Sequence, residues 1–446
     1  MAGMGPELMS GWPGKMIDGR VHPALWHMLD VGAVAACLLA ARSLTGDKAA
    51  DEAATLLVVI HDLGKFSSSF RAMLLGQPYS GLRHWQHSYR LLRDHDDAVA
   101  DVIGATAGVR RTLYAAVAGH HGGPPQHLER HKHTAQSAQI GDEASRAARE
   151  AIDAVTPLFG GASPDGMSES EARRLSWALC GFTVQADWIG SNPEWFGPGD
   201  AGISVGNYWK QAVVRAEAAI SEAGLHSARP LADGSTRVLP GSAAPRPMQA
   251  AVGEAALPAG PLLALIEDAT GAGKTEAALI LAARMMAASK GDGLFFALPT
   301  MATSNAMLAR LEAIAPRLFD GPPSLALTHG RAGLNELFSE IRGRDASDPG
   351  AGATCGRWLA DDRRKVLLAD VGVGTIDQAL MAVLPTRFNT LRLRALSGHI
   401  LIVDEAHEFG PYMEAQPAVY TQIMVIASSD TVGWLHSGDE PVRRLA

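Results

Sequence analysis

From residue 20 to about residue 225, apolar positions recur on helical spacing. Val31–Arg42, Glu52–Ile60 and Glu169–Val184 have long apolar faces, many alanines and few β-branched clusters, which predicts helices. The apolar run Val31–Ala41 is far shorter than a membrane span needs and reads as a buried helix. Gly160-Gly161-Ala162-Ser163-Pro164-Asp165-Gly166 is a turn-rich break. Gly224–Pro247, rich in Pro, Gly and Ser, reads as an interdomain linker. After it the rhythm changes. Leu262–Ile266 is a short apolar run that enters a glycine turn and then a helix, Glu276–Ala288. Leu294–Leu298, Val366–Leu368 and Ile400–Val403 read as further buried strands separated by helical stretches, which predicts a parallel α/β sheet. Arg344–Gly356 reads as a loop, and no repeat is present. The expected organisation is multidomain: an all-α domain over 1–225, a linker over 226–247, an α/β lobe over 248–430 and a tail over 431–446.

Composition narrows the class. A chain of 446 residues predicts two or three domains. With 47% hydrophobic and 19% charged residues it can build cores and is not disordered. A formal charge of −8 does not suit a sequence-independent DNA coat protein, so contact with nucleic acid would use local patches. Cys37, Cys180 and Cys355 form no zinc or disulfide pattern and fit a reducing cytosol. Met1–Met16 lacks the apolar core of a signal peptide, so the expected location is cytoplasmic, without a membrane partner.

Candidate chemistry in the first half consists of imidazoles and carboxylates. His61-Asp62 ends the apolar stretch Leu56–Ile60 and runs into Leu63-Gly64-Lys65. A histidine and a carboxylate leave a buried helix together there, beside a glycine expected to admit a substrate, with Lys65 placed to meet a phosphate oxygen. His95-Asp96, inside the acidic run Asp94–Asp97, reads instead as a solvated helix face. His27 and Asp30 stand at i, i+3 on one helix face and read either as site residues or as a capped or exposed pair. His120-His121 precede Gly122-Gly123, which supply the helix end two adjacent imidazoles need to reach one site. His127, His131 and His133 follow Pro124-Pro125 and read as loop or surface. Arg83-His84-Trp85-Gln86-His87-Ser88 offers two candidate ligands. Asp187 is a carboxylate in an otherwise apolar helix, and burial there requires a partner or a metal. A mixed His/Asp set points to Mn, Fe, Co or Ni rather than structural zinc, with Asp62 the natural bridge between two ions.

The second half carries a phosphate loop. Asp268-Ala269-Thr270-Gly271-Ala272-Gly273-Lys274-Thr275 follows a strand and opens a helix. Backbone amides there cradle phosphates, Lys274 meets the β/γ oxygens of ATP, and Thr275 holds Mg²⁺. Asp404-Glu405 follows Leu401-Ile402-Val403, where the aspartate binds Mg²⁺ and the glutamate orients water. Gln249, in Pro245-Arg246-Pro247-Met248-Gln249, stands where an adenine-reading glutamine would. Pro299–Asn305 and Gly374–Gln378 offer hydroxyls suited either to a sugar–phosphate backbone or to ordinary helix caps. Arg387, Arg392 and Arg394 add positive charge or form surface ion pairs.

Together these residues resemble the CRISPR-associated helicase-nuclease of type I systems, an HD-type nuclease domain fused to a DEAD/DEAH-like superfamily 2 helicase. The matching residues are His27–Asp30, His61–Lys65, Arg83-His84 with Ser88, Gly119–Gly122, Asp187–Ile189, Thr270–Thr275, Pro299-Thr300, Gly374–Gln378 and Asp404–His407, spanning roughly 12–415. The resemblance implies an HD-type metallophosphohydrolase domain and a first RecA-like lobe. It implies one metal on His27, His61, Asp62 and Asp187, and a second on Asp62, His84, His120 and His121. It favours His84 over His87, because the family's histidine follows an arginine. It further implies cleavage of single-stranded DNA, 3′ to 5′ translocation driven by ATP and Mg, and recruitment by the Cascade surveillance complex. The expected catalytic residues are Asp62, Lys65 and Glu405; the nucleotide would meet Gln249, Thr270, Gly271, Gly273, Lys274, Thr275 and Asp404. Only 39 residues follow His407, without a Ser-Ala-Thr motif or second lobe, which reads as a truncated, split or frameshifted member with an incomplete helicase. Two other readings fit the same residues: an HD-type nucleotide phosphohydrolase, and a non-catalytic form that binds DNA or a partner.

Overall fold

The computed structural model describes residues 11–77, 81–123, 130–164, 166–199, 202–225, 228–241, 243–344, 352–406 and 421–427. The chain divides into two compact units, Met1–Ile220 and Ser221–Ala446.

The first unit opens with an unexpected hairpin, β1 (Pro13–Ile17) antiparallel to β2 (Arg20–Pro23), in which Lys15 stands opposite His22. Among the described residues ten helices follow: α1 (Ala24–Ala41), α2 (Lys48–Val59), α3 (Ser68–Leu74), α4 (His84–Asp94), α5 (Asp96–Ile103), α6 (Ala107–Ala118), α7 (Arg130–Ile140), α8 (Asp142–Val155), α9 (Glu169–Gly190) and α10 (Val205–Glu222). Polar caps start several of them. Asp47 accepts from the Ala50 amide at 2.8 Å, and Ser168 and Glu171 satisfy each other's amides at the start of α9. α1 begins at Ala24, seven residues before the expected start, because Pro23 closes the hairpin and leads directly into the helix. His27 is therefore inside α1.

Among the described residues α1 is the one helix long and apolar enough to cross a membrane. Instead it is buried on nearly every face, between α2 and α9. Trp26 stacks on Tyr208 of α10 with ring centroids 4.0 Å apart and planes 1° from parallel. Truncating a fully buried neighbour such as Leu29 to alanine would cost about 2–5 kcal/mol.

The second unit is an α/β lobe around a six-stranded sheet of order β4-β10-β9-β5-β8-β7. The strands are β4 (Leu263–Ala269), β5 (Gly293–Leu298), β7 (Leu325–Thr328), β8 (Val371–Thr375), β9 (His399–Val403) and β10 (Thr421–Ala427); short β3 (Arg229–Pro230) pairs with β6 (Phe319–Asp320) outside this sheet. Helices α11 (Pro247–Glu254), α12 (Lys274–Ala287), α13 (Met301–Ile314), α14 (Glu336–Arg342), α15 (Arg357–Ala360), α16 (Ile376–Leu380) and α17 (Asn389–Leu396) complete the lobe.

β9, β5, β8 and β7 are parallel, while β10 runs antiparallel between β4 and β9, with Ile426 opposite both Ala264 and Ile402. The sheet is therefore mixed, with a parallel core. Two sequence expectations change. Val366–Leu368 is a 3-10 turn, and the strand lies just after it at β8. β8 was hidden by its glycines: a Cβ on Gly374 would stand 2.3 Å from the Thr328 carbonyl oxygen of β7, so the close strand approach excludes a side chain there. The segment 226–247 is not a bare tether, since it supplies β3 and the turn Gly234–Arg237, which packs on α12.

Candidate metal centre and nucleotide pocket

Three chain breaks aim imidazoles and carboxylates at one place. α2 ends at Val59, and the tight turn Ile60–Phe66 follows, with Asp62 off helical geometry at φ −113°, ψ 29°. α6 ends in the turn Gly119–His121, closed by Gly122 at φ +92°. α4 begins at His84. Gly64, expected to admit a substrate, has another role. A Cβ there would lie 1.8 Å from the His84 carbonyl oxygen, and its amide donates to Ser88 Oγ at 3.0 Å. Gly64 thus lets the start of α4, and His84 with it, approach the His61-Asp62 turn.

The side chains form two groups, His27 with His61 and Asp187, and Asp62 with His84, His120 and His121; within each, one ligand atom per residue lies within 4.8 Å of all the others. Asp62 faces both. Its Oδ2 lies 3.3 Å from His27 Nε2 and 3.7 Å from His61 Nε2, while its Oδ1 lies 3.5 Å from His84 Nε2 and 3.6 Å from His120 Nε2. Asp187 Oδ1 is 3.7 Å from His27 Nε2 and 3.8 Å from His61 Nε2, and His84 Nε2 is 2.8 Å from His121 Nε2. Lys65 Nζ rests 3.0 Å from Asp62 Oδ2.

Hydrogen bonding fixes two tautomers. His61 Nδ1 donates to the Val58 carbonyl and His120 Nδ1 to the Val117 carbonyl, both at 2.7 Å. A carbonyl only accepts, so each Nδ1 carries the proton and each Nε2 keeps its lone pair toward the cluster. The Nε2 atoms of His27, His61 and His120, and Asp62 Oδ1, are buried without a hydrogen-bond partner. These orphaned lone pairs, His27 and His61 Nε2 in one group and Asp62 Oδ1 and His120 Nε2 in the other, fit divalent cations, and a His/Asp set suits first-row transition ions. Burial drives His84 down to about 4 and His120 to about 3, and lowers His27 and His121, so these four imidazoles are neutral near pH 7. Burial alone would raise Asp62, but the Lys65 ammonium, ahead of the neighbouring histidines, holds it well below the usual carboxylate range.

Other candidates lie elsewhere. His87 is buried against Ser69, with Nε2 3.4 Å from Ser69 Oγ, outside both groups. Asp30 is neither a cap nor exposed: it is fully buried, 3.0 Å from His22 Nε2 and accepting from the Tyr208 hydroxyl at 3.0 Å. Asp96 is not simply solvated, since it grips Arg110 and accepts from the Tyr114 hydroxyl at 2.8 Å, tying α5 to α6. His131 and His133 belong to α7 rather than a loop, and His127 is outside the described residues.

In the second unit, Arg246, Gln249, Gly271, Gly273, Lys274, Thr275, Glu276, Arg310, Asp404 and Glu405, with Leu239, Pro240, Ala243 and Ala244, line a cleft of about 560 Å³. Thr270 is exposed beside it and is not a lining residue. Lys274 Nζ donates to the Asp268 and Ala269 carbonyls, both at 2.9 Å. Gln249 reaches the loop rather than open space, its Nε2 donating to the Gly273 carbonyl at 3.2 Å. Glu405 sits at φ +52°, its amide donating to Asp404 Oδ1 at 2.9 Å. Thr300 caps α13, accepting from the Thr303 amide at 3.2 Å. Arg392 is buried, so it adds no surface charge, and His407 lies outside the described residues.

Residues 13–196 match the family described as Cas3, HD domain. The chain is 30% identical to the CRISPR-associated endonuclease/helicase Cas3 of Escherichia coli K12, over 88% of this chain and 49% of that protein. It is 31% identical to the Thermus thermophilus protein of the same description, over 88% of this chain and 45% of that one. Residues 13–196 thus carry the Cas3 HD domain, and the chain as a whole is similar to Cas3 proteins. The crystal structure of T. fusca Cas3-AMPPNP superposes with a TM-score of 0.74 and 28% identity, covering 89% of this chain and 46% of that one. This chain thus spans about half the length of the curated Cas3 relatives it matches, which are nuclease/helicases.

Sequence reading missed three residues around these sites. Ser191 donates its hydroxyl to Asp187 Oδ1 at 2.8 Å; its i+4 spacing from Asp187, at the C-cap of α9, was a usable signal. Arg310 of α13 donates to Thr275 Oγ1 at 3.2 Å and grips Glu276. Lys15 comes in on the hairpin, and nothing in its local sequence marks it.

Proposed function

We propose that the first unit is a two-metal phosphodiesterase that cuts single-stranded DNA, and that the second is the ATP-binding first lobe of a helicase, acting in CRISPR antiviral interference. The observation that carries the reading is Asp62, whose two oxygens face two separate imidazole groups. His27, His61, Asp62 and Asp187 would hold one divalent ion, and Asp62, His84, His120 and His121 the other. When bound, such ions supply an activated water and neutralise charge on the phosphodiester.

The chain's own groups do the rest. Val58 and Val117 carbonyls hold the protons of His61 and His120 on Nδ1. Asp62 stays ionised because Lys65 is beside it, and Lys65 is placed to pass from Asp62 to a phosphate oxygen. In the lobe, Lys274 would leave the Asp268 and Ala269 carbonyls for ATP phosphate oxygens, with Thr275 and Asp404 on Mg²⁺ and Glu405 orienting water. Recruitment by Cascade follows from the family resemblance.

The test is incubation of circular single-stranded DNA with the chain and Mn²⁺, Co²⁺ or Ni²⁺, with Asp62→Ala as control. Cleavage by the unaltered chain alone supports the reading. Intact DNA under all three metals with metal bound, or hydrolysis of free deoxynucleotides instead, overturns it.

A further inference from the structure

Of the hairpin's lysine and arginine, Arg20 stands exposed at the tip, whereas Lys15 reaches the Ser191 carbonyl beside Asp187. Its side chain is half-buried, on the strand position opposite His22. The ammonium donates to the Ser191 carbonyl at 3.4 Å, and Ser191 in turn donates to Asp187. No carboxylate lies within ion-pair distance of it among the described residues, although its charge acts through space on Asp30, Asp187 and Lys65. The nearby acids are already engaged: Asp30 by His22 and Tyr208, Asp62 by Lys65, and Asp187 by Ser191.

A half-buried ammonium with one long carbonyl contact, and no carboxylate at ion-pair distance among the described residues, is incompletely compensated. β1 packs against the Ile60–Phe66 turn that carries Lys65, so the two ammonium groups come to the centre from adjacent elements. Burial pulls the Lys15 ammonium down to about 8, which still leaves it charged at pH 7. We propose that Lys15 is a second phosphate-holding side chain of this centre, which takes an anionic oxygen of the bound strand's phosphodiester backbone alongside Lys65. The proposal rests on the phosphodiesterase reading of the site and adds to it a substrate contact from the N-terminal hairpin. A purely structural alternative makes Lys15 only a tie between the hairpin and the Ser191 turn.

The experiment titrates inorganic phosphate calorimetrically into the full manganese-loaded chain, as wild type, K15Q and K15R. The expected result is that K15Q binds phosphate about tenfold or more weakly, while K15R stays within about threefold, as loss and rescue of one charge-assisted hydrogen bond requires. Manganese content and melting temperature of K15Q stay at wild-type values. With single-stranded oligonucleotide as the probe, the slope of log affinity against log salt falls by about 0.7 in K15Q, the signature of one lost phosphate contact. The proposal is overturned if wild type binds no phosphate, if K15Q binds it as wild type does, or if K15Q loses phosphate only together with manganese or fold. Failure of the nuclease reading is seen separately: a chain that holds phosphate through Lys15 but cuts no DNA removes that reading and leaves Lys15 as a phosphate ligand.

Discussion

The two sites treat their polar atoms in opposite ways. In the helical unit, the Nε2 atoms of His27, His61 and His120 converge with Asp62 Oδ1 and have no hydrogen-bond partner. In the α/β lobe, Lys274 is tied to the Asp268 and Ala269 carbonyls, Gln249 to the Gly273 carbonyl, and Arg310 to Thr275 and Glu276. The first arrangement is costly without ligands and suits ions held for the life of the fold. The second satisfies itself when empty and suits a nucleotide that enters and leaves. Buried donors pointing at nothing mark a resident group, whereas donors borrowed by nearby carbonyls mark a transient one.

The contrast breaks most visibly at Asp62. Asp62→Asn removes the charge shared by both imidazole groups, and Mn²⁺-dependent cleavage of single-stranded DNA should fall by roughly a thousandfold or more, with metal content dropping in the same protein. Elemental analysis beside a gel assay checks both; retained cleavage would mean that the groups do not work as one centre. For the nucleotide pocket the matching change is Lys274→Ala, expected to weaken ATP binding by about 30–100-fold, since one charged hydrogen-bond partner is worth roughly 2–3 kcal/mol. Calorimetry with ATP reads it.

A stability measurement sharpens the comparison. Stripping metal with a chelator should lower the melting temperature of the helical unit by roughly 10 °C, whereas saturating the lobe with Mg-ATP should raise its transition by only about 2–4 °C. Scanning calorimetry on the full chain separates them, and equal shifts would erase the distinction between resident and transient ligands.

The remaining comparison is in pH. His84 and His120 are depressed by burial to about 4 and about 3, so the unfolded chain binds more protons than the folded one below the ordinary histidine value of 6.5. The metal-free chain should therefore hold its full stability above pH 6.5. It should lose it progressively as pH falls toward 4 and 3, in a denaturant titration at each pH. The nucleotide pocket has no such histidine among its lining residues, so ATP binding should change less over the same range.

Much of the fold was legible because its signals are local. Long apolar helical faces marked the first unit, and the strand–glycine–lysine sequence at Asp268–Thr275 marked the lobe. The illegible parts share a cause. β8 reads Val-Gly-Val-Gly-Thr, and its glycines suggest a turn until the neighbouring Thr328 carbonyl explains them. The hairpin at Pro13–Pro23 is too short for its pattern to rise above the surrounding sequence. In the site, Gly64 carried the right importance with the wrong partner, since its neighbour is His84 rather than a ligand.

By itself the sequence determined which side chains were available and in what order: imidazoles at 27, 61, 84, 120 and 121, carboxylates at 62 and 187, and a phosphate loop ending at Thr275. Residue type and short-range spacing suffice for that, because they set helix ends and loop chemistry. Only the tertiary structure decided which of His84 and His87 meets Asp62, that Asp30 and Asp96 serve packing, and that Lys15 reaches the Ser191 carbonyl beside Asp187. Those outcomes depend on how closely separate helices and a hairpin approach one another, a distance fixed by burial across the whole unit and invisible to any local pattern.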